Sequence, residues 1–123
     1  MPFSYRILPE DRLAYVTASG PVDLRATLET MGRVAKDPRF EPDYRVVVDA
    51  REMQYTPSFG ELRVLAWALG HERQAYKNRV AVVRPASAVQ AREDVYTRLS
   101  KLTGVALGLF RDRDAALAWV RGS

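Results

Sequence analysis

A chain of 123 residues, 47% hydrophobic and 28% charged, fits one globular domain over residues 1–123. Such a length supports a single core that buries roughly two-thirds of the unfolded surface. With no cysteine and one histidine, the composition excludes disulfide scaffolds, cysteine nucleophiles and Cys-based metal centres, and it speaks against a multi-histidine metal site. The net charge of +4 is carried mainly by arginine, 16 of the 19 basic residues. Acids are interleaved with those arginines: Glu61 near Arg63, Glu72 beside Arg73, Arg92 beside Glu93 and Asp94, Arg111 beside Asp112. A nucleic-acid surface gathers its cations on one element, so this mixing reads as a solvated face and no nucleic-acid partner is expected.

The start, Met1-Pro2-Phe3-Ser4-Tyr5-Arg6, lacks the basic residues and apolar core of a signal peptide. Apolar stretches such as Val64–Leu69 are far too short to span a bilayer. No membrane span is expected, and a cytoplasmic location is.

In chain order, Ser4–Leu8 reads as a strand, Pro9-Glu10-Asp11 as a turn and Arg12–Ala18 as a second strand. Leu13, Tyr15 and Thr17 alternate with Ala14, Val16 and Ala18, which predicts a half-exposed antiparallel hairpin. Gly20-Pro21 predicts a break. A helix follows over Asp23–Lys36, with Asp23 as its cap and Leu24, Leu28, Met31 and Ala35 on one stripe. Asp37-Pro38 ends it, because a residue before proline is pushed out of the α region. The β-branched run Val46-Val47-Val48 within Tyr44–Ala50 predicts a strand buried on both faces of a parallel sheet.

After a loop over Arg51–Pro57, Ser58-Phe59-Gly60-Glu61 matches the capping box S-x-x-E and opens a second helix running to about Tyr76. Arg79–Val83 reads as a strand, Ala88–Leu102 as a third helix stopped by Gly104, and Val105–Phe110 as the last strand. Asp112 then caps a short fourth helix, Arg113–Arg121, with Ala116, Trp119 and Val120 inward. The order ββαβαβαβα implies an α/β fold with a mostly parallel five-stranded sheet, one antiparallel N-terminal strand and four helices.

Four stretches carry a family resemblance that covers nearly the whole chain. They are Gly20-Pro21-Val22-Asp23 at the entry to the first helix, Val46-Val47-Val48-Asp49, Thr56-Pro57-Ser58-Phe59-Gly60 at the start of the second helix, and Phe110-Arg111-Asp112 followed by Ala116 and Trp119-Val120. In their order and spacing the chain resembles STAS domains, and within them the SpoIIAA-like group of small stand-alone proteins typified by anti-sigma-factor antagonists. The resemblance implies a regulatory or ligand-binding role without catalysis, a protein partner such as an anti-sigma or kinase-like regulator, and phosphorylation at the serine that opens the second helix. Ser58 occupies that place. The sequence departs from the group's Asp-Ser-Ser/Thr-Gly motif at Pro57, in place of the aspartate, and at Phe59, in place of the second hydroxyl. Both changes make the loop less polar.

Each candidate site residue has two readings. Ser58 is a helix cap or a switch, in which a phosphate gains from the helix N-terminus and Arg51 or Arg63 pairs with it. Asp49, placed at the carboxyl end of its strand, accepts N–H bonds from the following loop or faces a ligand. Trp67, with Val64 and His71, lies off the stripe formed by Phe59, Leu62, Leu65, Ala66 and Leu69. It either packs under a neighbouring helix or presents an interface to a partner or a second copy. An apolar small molecule or lipid between the second helix and the sheet, bordered by Tyr55, Phe59 and Trp67, is the alternative to a protein partner. A Ser58–His71 catalytic pair fails on distance, since thirteen residues along one helix span roughly 20 Å. With no phosphate-binding glycine loop, nucleophile elbow or metal cluster, no catalytic residue, metal or cofactor is expected.

Overall fold

The computed structural model describes residues 3–54, 58–71, 79–84, 101 and 106–122. Five strands form one sheet whose spatial order repeats the chain order: β1 (Phe3–Leu8), β2 (Leu13–Pro21), β3 (Arg45–Gln54), β4 (Val80–Val83) and β5 (Leu107–Phe110). β1 pairs antiparallel with β2, from Phe3 opposite Ala18 to Leu8 opposite Leu13. The other three pairings are parallel. Three helices stand among the described residues: α1 (Leu24–Lys36), α2 (Phe59–His71) and α3 (Arg113–Val120). The helix expected over Ala88–Leu102, and the expected extension of α2 to Tyr76, lie outside the described residues apart from Lys101.

The hairpin turns through a single 3-10 turn at Pro9–Asp11. Arg12 then reverses the chain in the left-handed region at φ 52°, its N–H donating to the Pro9 carbonyl at 3.1 Å. The half-exposed hairpin expected from the alternation needs correction at β2. Leu13, Ala14, Val16 and Ala18 are all buried, because the sheet is covered on both faces, Ala14 and Val16 lying in the core under α1 (Leu24–Lys36) and Leu13 in the core on the opposite face.

Gly20-Pro21 does not break the strand. The ladder continues with Ser19 opposite Glu52, Gly20 opposite Met53 and Pro21 opposite Gln54. Between Thr17 and Ser19 β2 advances two residues, while β3 advances three, from Asp49 to Glu52. This bulge bends the pair and re-aims the side chains around it. Gly20 follows it at φ +70°, a conformation glycine adopts without a Cβ penalty. β3 therefore runs four residues past the predicted end at Ala50, and Asp49 sits within the strand.

Two cores lie on opposite faces. On one, α1 lays Val34 over Ile7, Ala14, Val16, Val46 and Val80, closed at the edge by Phe40 and Tyr44. Asp23 caps α1, its Oδ1 accepting the Ala26 N–H at 2.9 Å. α1 also contacts α2. On the other face, Ala116 and Val120 of α3 cover Leu13, Val47, Ala81 and Val83. Asp112 caps α3 by accepting the Asp114 N–H at 2.7 Å. Trp119 of α3 packs on Phe110, ring centroids 5.4 Å apart. The two rings leave no room at Gly108, where a Cβ would come within 2.7 Å of Phe110.

Candidate functional site

The outward face of α2 is built from its first turn. Ser58 and Glu61 form a reciprocal capping box: the Glu61 N–H donates to Ser58 Oγ at 3.1 Å, and the Ser58 N–H donates to Glu61 Oε1 at 3.0 Å. From that cap, helical spacing brings Gly60, Arg63, Val64 and Trp67 around a shallow open depression. Trp67 is 69% exposed and Val64 42%. One turn on, the exposed His71 ring stacks on the indole at 4.9 Å and 18°. Trp67 therefore does not pack under a neighbouring helix; its solvent contact matches the helical phase that set it apart from the core stripe.

A second cluster lies inside the sheet. Asp49 is 7% exposed. The Arg51 guanidinium grips it at both oxygens, Nε to Oδ1 at 2.9 Å and a terminal nitrogen to Oδ2 at 2.8 Å. The Tyr15 hydroxyl donates to Oδ2 at 2.8 Å, and the Arg51 N–H reaches Oδ1 at 3.3 Å. This forked, charge-assisted pairing holds the carboxyl at a pKa of about 2, against the opposing effect of burial. Asp49 in turn raises the Arg51 guanidinium. Burial, and then the bond to Asp49, push the Tyr15 phenol up. On the other side of Tyr15, the Arg113 guanidinium lies 5.4 Å from the ring centroid.

The structure thus joins Asp49 to Arg51, and Arg63 to Trp67, as two separate groups. The N–H bond expected at Asp49 forms with Arg51 at 3.3 Å, but Arg51 continues β3 through the bulge instead of opening a loop, and the closer partners are side chains of β2 and β3. Arg51 is engaged by Asp49. Ser58 stands at the exposed start of α2, with His71 at its far end. Tyr55 and the Phe59 side chain lie outside the described residues. Sequence reasoning missed Tyr15 and Arg113. It also missed a twin of the Asp49 cluster, in which Tyr5 and Arg39 hold Asp37. The available signal was the repeated Asp-x-Arg spacing of Asp37-Pro38-Arg39 and Asp49-Ala50-Arg51, which puts a guanidinium within reach of each carboxylate.

Among the described residues no three His, Asp or Glu side chains converge on a point that could hold a metal ion. No helix among them is long and apolar enough to cross a membrane.

No family model matches the sequence, and no curated protein matches it. Solved structures do. An anti-sigma factor antagonist from Mycobacterium paratuberculosis superposes with a TM-score of 0.60 at 24% identity, over 97% of this chain and 94% of that one. An uncharacterized protein of the DUF3478 family with a SpoIIAA-like fold, from Shewanella loihica, superposes with a TM-score of 0.61 at 17% identity, over 96% and 91%. The chain has the SpoIIAA-like fold. The resemblance read from its four motifs and the likeness of its backbone agree on that architecture.

Proposed function

We propose that this chain is a non-catalytic, cytoplasmic regulatory module that binds a protein partner through the outward face of α2, with Ser58 as the point of control. The observation that carries the reading is Trp67, an indole 69% exposed beside Arg63 on a helix that opens with Ser58. Exposed tryptophan and arginine are the residue types that dominate binding energy at interfaces. A fold neighbour that is an anti-sigma factor antagonist supports the class of activity.

The capping box gives the switch a local mechanism. A phosphate on Ser58 adds nearly two negative charges. The Glu61 carboxylate already bonds to the Ser58 N–H. The two anions repel, so phosphorylation opens the box and alters the first turn of α2, next to Arg63 and Trp67.

The test is affinity capture from the chain's own cells with wild type, Ser58→Ala, Ser58→Asp and Trp67→Ala, all checked for folding by circular dichroism. Wild type and Ser58→Ala are expected to retain the same partner, a second copy of the chain included. Ser58→Asp and Trp67→Ala are expected to lose it. Unchanged capture by Trp67→Ala removes the α2 face from the reading, and unchanged capture by Ser58→Asp removes the switch.

A further inference from the structure

The depression on the outward face of α2 carries a sign as well as a shape. Val64, Trp67 and the bare backbone of Gly60 make it apolar, and the charged residue lining it is Arg63. Arg63 is exposed, and among the described residues it makes no hydrogen bond or ion pair. Arg39 and Arg51, by contrast, close their forks on carboxylates of this chain, Asp37 and Asp49.

The other groups on this face supply no free anion. Glu61 is turned back on the cap, its Oε1 accepting the Ser58 N–H at 3.0 Å. His71, stacked on the indole, adds no negative charge. The amino-terminal end of α2 adds partial positive charge beside Gly60. A Cβ built at Gly60 would meet nothing within 4 Å except Ser58 Oγ, at 3.9 Å, so the space beside the cap is open.

An exposed indole next to an unpaired guanidinium is the pairing of residue types that anchors protein interfaces. The arginine fork fits a carboxylate through two parallel bonds. A second copy presenting its own α2 would bring to Arg63 only Glu61, which the cap already holds. Charge complementarity selects an acidic occupant instead. Resting on the reading of this face as the binding surface, we infer that the partner is a protein segment that joins a bulky apolar side chain to neighbouring carboxylates. The apolar side chain seats in the depression against Val64 and Trp67, and a carboxylate pairs with Arg63. This chemistry also gives control at Ser58 its direction. Ser58 Oγ borders the depression at Gly60, so a phosphate there presents an anion of its own to Arg63 and repels the acidic segment.

The test selects binders of the intact chain from a phage-displayed library of random short peptides and measures their affinities by fluorescence anisotropy. The selected sequences are expected to combine Asp or Glu with Leu, Ile, Phe or Trp, and to bind more weakly as salt rises. Arg63→Glu, checked for folding by circular dichroism, is expected to weaken them at least about tenfold. Trp67→Ala is expected to weaken them at least as much. Peptides that are lost with Trp67→Ala yet carry no excess of acid, or are unmoved by Arg63→Glu, overturn the acidic partner and leave the α2 face standing. A selection that yields no peptide, or only peptides that bind Trp67→Ala as tightly as wild type, overturns both. A wild-type chain that sediments as a dimer, with Trp67→Ala a monomer, gives the face to a second copy and overturns the acidic partner.

Discussion

Two carboxylates, one beside each core, are held by the same set of groups. Asp37 accepts the Tyr5 hydroxyl at 2.9 Å and the fork of Arg39 at 3.0 and 2.8 Å. Asp49 accepts the Tyr15 hydroxyl at 2.8 Å and the fork of Arg51 at 2.9 and 2.8 Å. Both are held below the usual carboxylate range, chiefly by the arginine two residues on.

What differs is the backbone beneath. Asp37 sits where the chain leaves α1: its N–H donates to Val34, its carbonyl accepts the Phe40 N–H, and its side chain takes the Arg39 N–H at 2.9 Å. There the clamp shapes an exit and ties it to the edge strand β1. Asp49 sits inside β3, at the bulge, where the corresponding amide contact has stretched to 3.3 Å. Through Tyr15 and Arg113 this clamp joins β2, β3 and α3. The same chemistry makes a turn in one place and a tie between elements in the other, according to what the tyrosine ring packs against.

The largest expected effect comes from removing Asp49. Asp49→Ala strands the Tyr15 hydroxyl in the interior of the sheet, and should cost about 2 kcal/mol in urea unfolding. Asp37→Ala should cost less, because Tyr5 lies on the edge strand β1, where water replaces the lost acceptor, whereas Tyr15 lies on the internal strand β2. Equal losses would break the contrast between the two clamps.

Acid sharpens it. The folded pKa of Asp49, about 2, lies below the unfolded value near 3.9. Its contribution is therefore complete above the unfolded value and is lost as pH falls from about 4 toward 2. That loss amounts to roughly 2 kcal/mol. Asp49→Asn should flatten this part of the stability profile.

Tyr5→Phe and Tyr15→Phe each remove one hydroxyl donor and keep the ring, so each should cost about 1 kcal/mol in the same unfolding measurement. The smallest effect belongs to the other surface. Trp67→Ala should change stability by no more than about 0.5 kcal/mol, since its side chain contributes little to either core. A larger loss would mean that the indole supports the fold.

Where order is local, the sequence was informative. Asp23, Ser58-x-x-Glu61 and Asp112 each mark a helix start through bonds that span three residues or fewer, and all three form as expected. The Val46-Val47-Val48 run announced a strand with two neighbours, while the phase of Trp67 set it off the core stripe and left open whether it packed under a helix or faced solvent. The features that were not legible depend on a distant partner. β2 continues past Gly20 because β3 supplies an extra residue opposite it. Tyr5 and Asp37 are 32 residues apart, and Tyr15 and Asp49 are 34. Their pairing follows from strand register, which no local spacing encodes. Ser58 was legible as a cap; the surface beside it is displayed only by the folded helix.

Because spatial order repeats chain order, each strand of the sheet docks on the one made just before it. A chain leaving the ribosome can extend the sheet in a single direction, without waiting for a later strand to insert between earlier ones. One task is deferred. The layer over Leu13, Val47, Ala81 and Val83 is supplied by α3, which follows all five strands in the chain. Until it arrives, those side chains form an apolar patch on an otherwise assembled sheet, the kind of surface that chaperones bind and that aggregates form upon. α3 thus acts as the closure of this face of the sheet.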